Sequence, residues 1–185
     1  MRNITGFFIA VVALVLLAGV WILSQHTGLV ALNEVVKQDW TDLDAQLRRR
    51  ADLIPDLLSA VKSYIPEEEG VFTAIADASG KLAVAASPEA KAEADSELAG
   101  GLRHLLVVAG SCPELTADES FFRLRKELDD VERSIDDARR NYNEHVDLYN
   151  MCIGQFPGAF FAGRIGLLPR GKFEPPAAEK EKISP

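Results

Sequence analysis

Chemistry-bearing side chains are scarce in this sequence. It has three histidines (His26, His104, His145) and two cysteines (Cys112, Cys152), none at a ligand spacing such as CxxC or HExxH, which argues against a metal centre. No nucleophile is placed near His145 by sequence spacing, and its position on an apolar seam reads as a satisfied core histidine. The scattered carboxylates read as a solvated face rather than an acid/base pair, since nothing in the sequence suggests a pocket that would push their pKa values apart. No catalytic residue, metal ligand or cofactor site is therefore expected, and the chain reads as non-enzymatic. A bridge between Cys112 and Cys152 would need the fold to bring them together; the plainer reading is two unpaired, partly buried thiols.

Basic charge is also short, with 20 Lys and Arg against 28 Asp and Glu for a net charge of −8. Arg2 is the only charge ahead of Glu34, so the rest of the chain carries −9. Such a balance argues against nucleic acid or another polyanion as the main ligand, because an acidic surface releases no counterions. What remains after an N-terminal apolar segment is the size of one domain.

No Asp, Glu, Lys or Arg occurs between Asn3 and Asn33, and an almost unbroken apolar run opens at Thr5 and closes at Leu23. About 19 residues of helix span about 30 Å of hydrocarbon, so residues 5–23 are expected to form a transmembrane helix within an anchor of residues 1–28. Trp21, followed by Ser24, Gln25 and His26, fits an interfacial belt giving way to water. A cleaved signal peptide is the competing reading; Arg2 supplies its basic start, but no good cleavage site follows the core, and an uncleaved signal anchor is favoured. Arg2 and the amino terminus outweigh Lys37 across the segment, which favours the domain on the extracytoplasmic side.

Beyond the anchor, apolar residues recur at Val36, Trp40, Leu43, Leu47, Ala51, Ile54, Leu58, Val61 and Ile65, the stripe of an amphipathic helix. Pro55 removes a donor and crowds the carbonyl of Ala51, so a kink or a restart is expected there, with Asp52 as a candidate cap. The helical pattern then runs to about Ala78 and stops at Ser79-Gly80. Ser87-Pro88 reads as a cap followed by proline, opening a helix to about Ala109. Gly110 to Pro113 ends it, and Thr116-x-x-Glu119 has the form of a capping box. The strongest pattern follows: Phe121, Leu124, Leu128, Val131, Ile135, Ala138, Tyr142, His145, Tyr149, Cys152 and Phe156, a seam of alternating threes and fours. A helix from Asp118 to Phe156 would be about 58 Å long and must pack against partners. The glycine- and phenylalanine-rich stretch beyond Pro157 is expected to be an irregular apolar strap over the bundle or an interfacial contact, and residues 174–185 read as a disordered tail.

Two groups of side chains stand out as candidate sites. Arg48, Arg49 and Arg50 form the one dense basic run; they could hold a phosphate or lipid headgroup, but pairing with Asp52, Asp129, Glu132 and Asp136 is the favoured reading. Tyr142-Asn143 and Tyr149-Asn150 lie one heptad apart, placing both tyrosines on the seam and both asparagines at its edge. The favoured reading has the rings in the core and the amides bonded to a neighbouring helix; the alternative is a polar ladder for a partner helix.

Residues 46–55 (QLRRRADLIP), with Leu57, Val61, Lys62 and Tyr64, resemble the LemA family of bacterial membrane-anchored proteins. So does a second set, Phe121, Leu124, Leu128, Glu132, Ile135, Ala138, Arg139, Tyr142-Asn143, Val146, Tyr149-Asn150, Ile153 and Phe156-Pro157. The chain departs from the family pattern at Asp56, Ser63, Glu67 and Cys112. The resemblance implies an all-α fold, with an N-terminal transmembrane helix followed by an antiparallel bundle of long helices in four segments over residues 29–173. It also implies no established enzymatic activity. Arg49, Arg50, Asp52, Pro55, Tyr142, Asn143, Tyr149 and Asn150 carry the family's pattern and are the candidate partner or structural motif. The function expected is a scaffold or adaptor of the bacterial inner membrane, with a protein partner, a homo-oligomer being compatible with the seam. The alternative is a membrane-remodelling or headgroup-binding protein.

Overall fold

The computed structural model describes residues 2–156 and 158–174, with residues 2–27, 161 and 165 described as helical backbone only. The described secondary structure is entirely helical: α1 (Arg2–Lys62), α2 (Glu69–Val84), α3 (Pro88–Gly110), α4 (Pro113–Thr116), α5 (Glu119–Gly154) and α6 (Gly158–Ile165). Two compact units form, a smaller one from Met1–Gln38 with Glu144–Arg170 and a larger one from Asp39–Asn143 with Gly171–Pro185. Among the described residues no helix is long and apolar enough to cross a membrane; the run expected to do so, from Thr5 to Leu23, lies outside those whose side chains are described.

From Leu29 onward α1 keeps a strict alternation of fours and threes. In the smaller unit Leu29, Asn33 and Val36 are buried, and in the larger one Leu43, Leu47, Arg50, Ile54, Leu57 and Val61 are. The expected stripe ran through Ala51 and Leu58, which are only half-buried; the core positions belong to Arg50 and Leu57. Apolarity alone selects Ala51 over Arg50, but the heptad step from Leu43 falls on the arginine. Pro55 neither ends nor restarts the helix, and Asp52 lies mid-helix rather than at an N-terminus. Proline forfeits one backbone bond, worth about 3 kcal/mol against alanine in a helix interior. Burying a Leu- or Ile-sized side chain contributes about 1.5–3 kcal/mol, so Ile54, Leu57 and Val61 hold the turns around it.

The real break comes at Pro66. Helix α1 stops at Lys62, and Ile65, the residue before proline, is driven away from helical geometry. Helix α2 then runs straight through Ser79-Gly80, since Ala78 and Leu82 on its buried face outweigh the roughly 1 kcal/mol cost of a helical glycine. Helix α3 opens as its sequence suggests, with Ser87 Oγ accepting from the Ala90 amide at 3.2 Å and Pro88 in the first turn, and it packs against α2. A one-turn helix, α4, intervenes before α5.

Asp118, not Thr116, caps α5: its Oδ1 accepts from the Phe121 amide at 2.9 Å, while the Thr116 hydroxyl donates back to the Pro113 carbonyl. The buried face of α5 is Phe121, Leu128, Val131, Ile135 and Tyr142 in the larger unit, then Val146, Tyr149 and Ile153 in the smaller. The expected seam instead took His145 and Cys152, which are half-buried and exposed, and Phe156, which is 84% exposed. A straight helix of 3.6 residues per turn drifts off a 3.5 repeat, and two consecutive steps of four, from Ala138 to Tyr142 to Val146, absorb the drift.

The stretch beyond Pro157 is not irregular throughout. Residues 158–165 form α6, which ends in a Schellman turn: Gly166 takes φ +71°, and the Leu167 amide donates to the Ala162 carbonyl at 3.0 Å. Residues 167–173 follow without regular structure. Cys112 and Cys152 are unbridged. The expected tail lies, from residue 175, outside the described residues.

Candidate functional site

The Tyr-Asn pairs fasten the non-helical segment that follows α6. In the smaller unit Asn150 Nδ2 donates to the Arg170 carbonyl at 2.8 Å, and the Arg170 amide donates to Asn150 Oδ1 at 2.9 Å. The Tyr149 hydroxyl donates to the Leu168 carbonyl at 3.1 Å. In the larger unit the pattern repeats: Asn143 exchanges bonds of 3.1 and 2.8 Å with the carbonyl and amide of Phe173, and the Tyr142 hydroxyl donates to the Gly171 carbonyl at 2.9 Å. A carboxamide carries the same donor and acceptor pair as a peptide group, so each asparagine serves as a one-residue strand edge. The amides bond this segment rather than a neighbouring helix.

Aromatic packing backs each clamp. Tyr142 and Tyr149 are each 1% exposed. The Trp40 ring lies 5.3 Å from that of Tyr142 and 6.3 Å from that of Phe173, centroid to centroid, with the Lys91 ammonium 5.5 Å from its own centroid. In the smaller unit the Arg170 guanidinium sits over Tyr149 and donates to Asn33 Oδ1 at 2.9 Å, giving that polar seam residue of α1 its partner.

Arg50 is the second centre. Its side chain is fully buried in the larger unit and reaches Asp95 of α3 through Nη2 and Glu132 of α5 through Nη1, the latter at 3.1 Å. Burial pushes the Asp95 carboxyl above the usual aspartate range, against the pull of the Arg50 charge and hydrogen bond. Arg50 Nε and Gln46 Oε1, one helical turn apart, are buried without a partner. The neighbouring arginines are used differently: Arg48 pairs with Asp44 at 2.8 Å, and Arg49 is exposed. Of the acids expected to pair with this run, Glu132 does so, while Asp136 pairs with Arg139 on its own helix.

Beside these lies an open cleft of about 450 Å³ among α1, α2 and α3. Leu47, Ala51, Leu82 and Ala83 give it an apolar floor, and Asp44, Arg48, Asp52 and Lys91 a rim of both charges. Burial would raise the Asp44 carboxyl, but its bond to Lys91 and the charges of Lys91 and Arg48 hold it below the usual range. At the start of α5, the Phe121 amide holds the Asp118 carboxyl low, and the Tyr64 hydroxyl donating to it at 3.2 Å is pushed up.

Of the residues singled out in the sequence, the structure brings Arg50 into a three-helix ion cluster and all four Tyr-Asn residues into clamps. Arg49 and Pro55 are exposed and Asp52 lies on the cleft rim. Sequence reasoning missed Asn33, Lys91, Asp95, Arg170 and Phe173. Asn33 and Arg50 had a signal, since both fall on the heptad step; Asp95 had none, because its place depends on how α3 meets α1. Among the described residues no cluster of three or more His, Cys, Asp or Glu could hold a metal ion.

No curated protein matches the chain. The family model described as LemA family matches residues 39–184, about four-fifths of the sequence, and takes in the Arg50 cluster and all four clamp residues. The chain belongs to the LemA family.

Proposed function

We propose that this protein is a non-enzymatic scaffold or adaptor, anchored in the bacterial inner membrane by residues 5–23 with its helical domain on the extracytoplasmic side. The observation that favours it most is the cleft: an apolar floor about one helix turn long, rimmed by both signs of charge, suits a segment of another protein. The charge-free run from Thr5 to Leu23 supports the anchor. The polar side chains of the clamps and of the Arg50 cluster are engaged in holding the chain to itself, which suits a rigid platform. Whole-cell photocrosslinking from position 83, on the cleft floor, is expected to give discrete adducts with another protein. Free monomer alone at every growth phase overturns the reading, and a hydrolase screen of the purified protein, expected to be blank, checks the non-enzymatic part.

A second reading, binding of lipid headgroups, draws support from a different place. The arginine run does not favour it, because Arg50 is buried and Arg48 is paired. The segment around α6 does, and its exposed aromatic residues give the reading its content.

A further inference from the structure

Between Asp147 and Glu174 the sequence has 26 residues and not one acid, in a chain with 28 acids; Arg164, Arg170 and Lys172 give the stretch a charge of +3. The same stretch holds the most exposed large apolar side chains of the smaller unit: Met151 at 53%, Phe156 at 84%, Phe160 at 56% and Leu168 at 75%. Arg164 lies one turn along α6 from Phe160, its guanidinium 4.9 Å from the ring centroid, so a cation and an aromatic face are presented together. Gly158 fixes where this surface sits, since a methyl group there would collide with the Cys152 carbonyl oxygen as the chain turns back over the end of α5.

That end of α5 lies beside residues 28–32 of α1. Gly28, Leu29 and Leu32 line one hollow with Cys152, Gln155, Phe156 and Gly158. Gly28 and Leu32 follow Leu23 by five and nine residues, which is about 8–14 Å of helix rise. The headgroup layer beyond the hydrocarbon is about 5–8 Å thick on each side. Helix side chains reach about 5–6 Å from the axis, so a short helix at this height meets the interface.

The geometry points to α6 as a second membrane contact. Phe156, Phe160 and Leu168 enter the interface of the bilayer that holds the anchor, and Arg164 takes an anionic phospholipid headgroup. The inference rests on the reading of residues 5–23 as a membrane span. Charge complementarity selects the occupant: an acid-free, cationic and aromatic surface on an acidic protein fits an anionic lipid layer. The contact would hold the smaller unit against the membrane.

The test uses the full chain, with Cys112→Ser and Cys152→Ser, in vesicles of phosphatidylcholine with or without phosphatidylglycerol. Nitroxides are placed one at a time at position 14, 156 or 160 through Leu14→Cys, Phe156→Cys and Phe160→Cys, and relaxation is measured with oxygen and with a water-soluble nickel chelate. Labels at 156 and 160 are expected to favour oxygen over nickel in anionic vesicles, with the preference reduced in phosphatidylcholine alone and by Arg164→Gln. A label at 14 that favours oxygen while 156 and 160 favour nickel overturns this inference and leaves the anchor standing. A label at 14 that favours nickel overturns the anchor and the inference together.

Discussion

The two units treat charge and apolar surface in opposite ways. The larger one buries a guanidinium and matches it with carboxylates from two other helices, and it leaves few large apolar groups outside. The smaller one, with far fewer described residues, has seven of the eleven exposed large hydrophobic side chains found among the described residues, including Phe156 and Phe160. The first pattern belongs to a body whose interior is specified by polar partners. The second belongs to a surface meant to be covered, since monomeric proteins seldom leave such groups clustered in water.

Breaking the Arg50 cluster should have the largest effect on the larger unit. Arg50→Ala leaves the largely buried Asp95 carboxylate without the counter-charge it is bonded to and should cost about 3–5 kcal/mol in urea unfolding. Arg50→Met combined with Asp95→Leu should recover most of that loss; a double variant as weak as the single one would show that packing, not charge, is at stake. The clamps come next. Asn143→Ala or Asn150→Ala removes two bonds and strands a backbone donor, a loss of about 2–3 kcal/mol. Amide exchange should accelerate at Phe173 in the first variant and at Arg170 in the second.

Smaller effects sharpen the contrast. Pro55→Ala restores a helical donor at an exposed position and should stabilise the chain by about 1–2 kcal/mol. Acid should act through Asp44: its carboxyl is held low in the fold, so its contribution is full above the unfolded value near about 3.9 and is lost as pH falls through the lower folded value. Asp44→Asn should flatten that part of the stability-pH curve. Asp95 works the other way, because its raised carboxyl makes ionisation costly as pH climbs from the ordinary aspartate value to the raised one. Asp95→Asn should remove that decline while keeping an acceptor for Arg50. Smallest of all, Phe156→Ser and Phe160→Ser should shift stability by less than about 0.5 kcal/mol, as expected of side chains that face outward in the isolated protein.

Helical periodicity made α1, α3 and α5 legible, because long amphipathic segments announce their buried face through repeated steps of three and four. It misplaced the faces where apolarity competed with spacing. Ala51 looked better than Arg50 only because the carboxylates that make a buried arginine tolerable lie 45 and 82 residues away in sequence. Pro55 sits inside a helix held by flanking buried residues, whereas Pro66 lies where no such face continues. The Tyr-Asn pairs stood out by their spacing, but their partner is a backbone without regular structure, which leaves no periodic trace. Phe173, the last residue of the expected bundle domain, packs its ring against Trp40, a contact between distant residues that no local spacing signals.

The anchor is the claim on which the functional account turns, and alkaline extraction tests it most directly. Membranes from cells making the full chain, and from cells making a chain lacking residues 5–23, are washed with carbonate and sedimented. The full chain is expected to stay with the bilayer while the shortened one is released. Release of both would contradict a membrane-anchored scaffold.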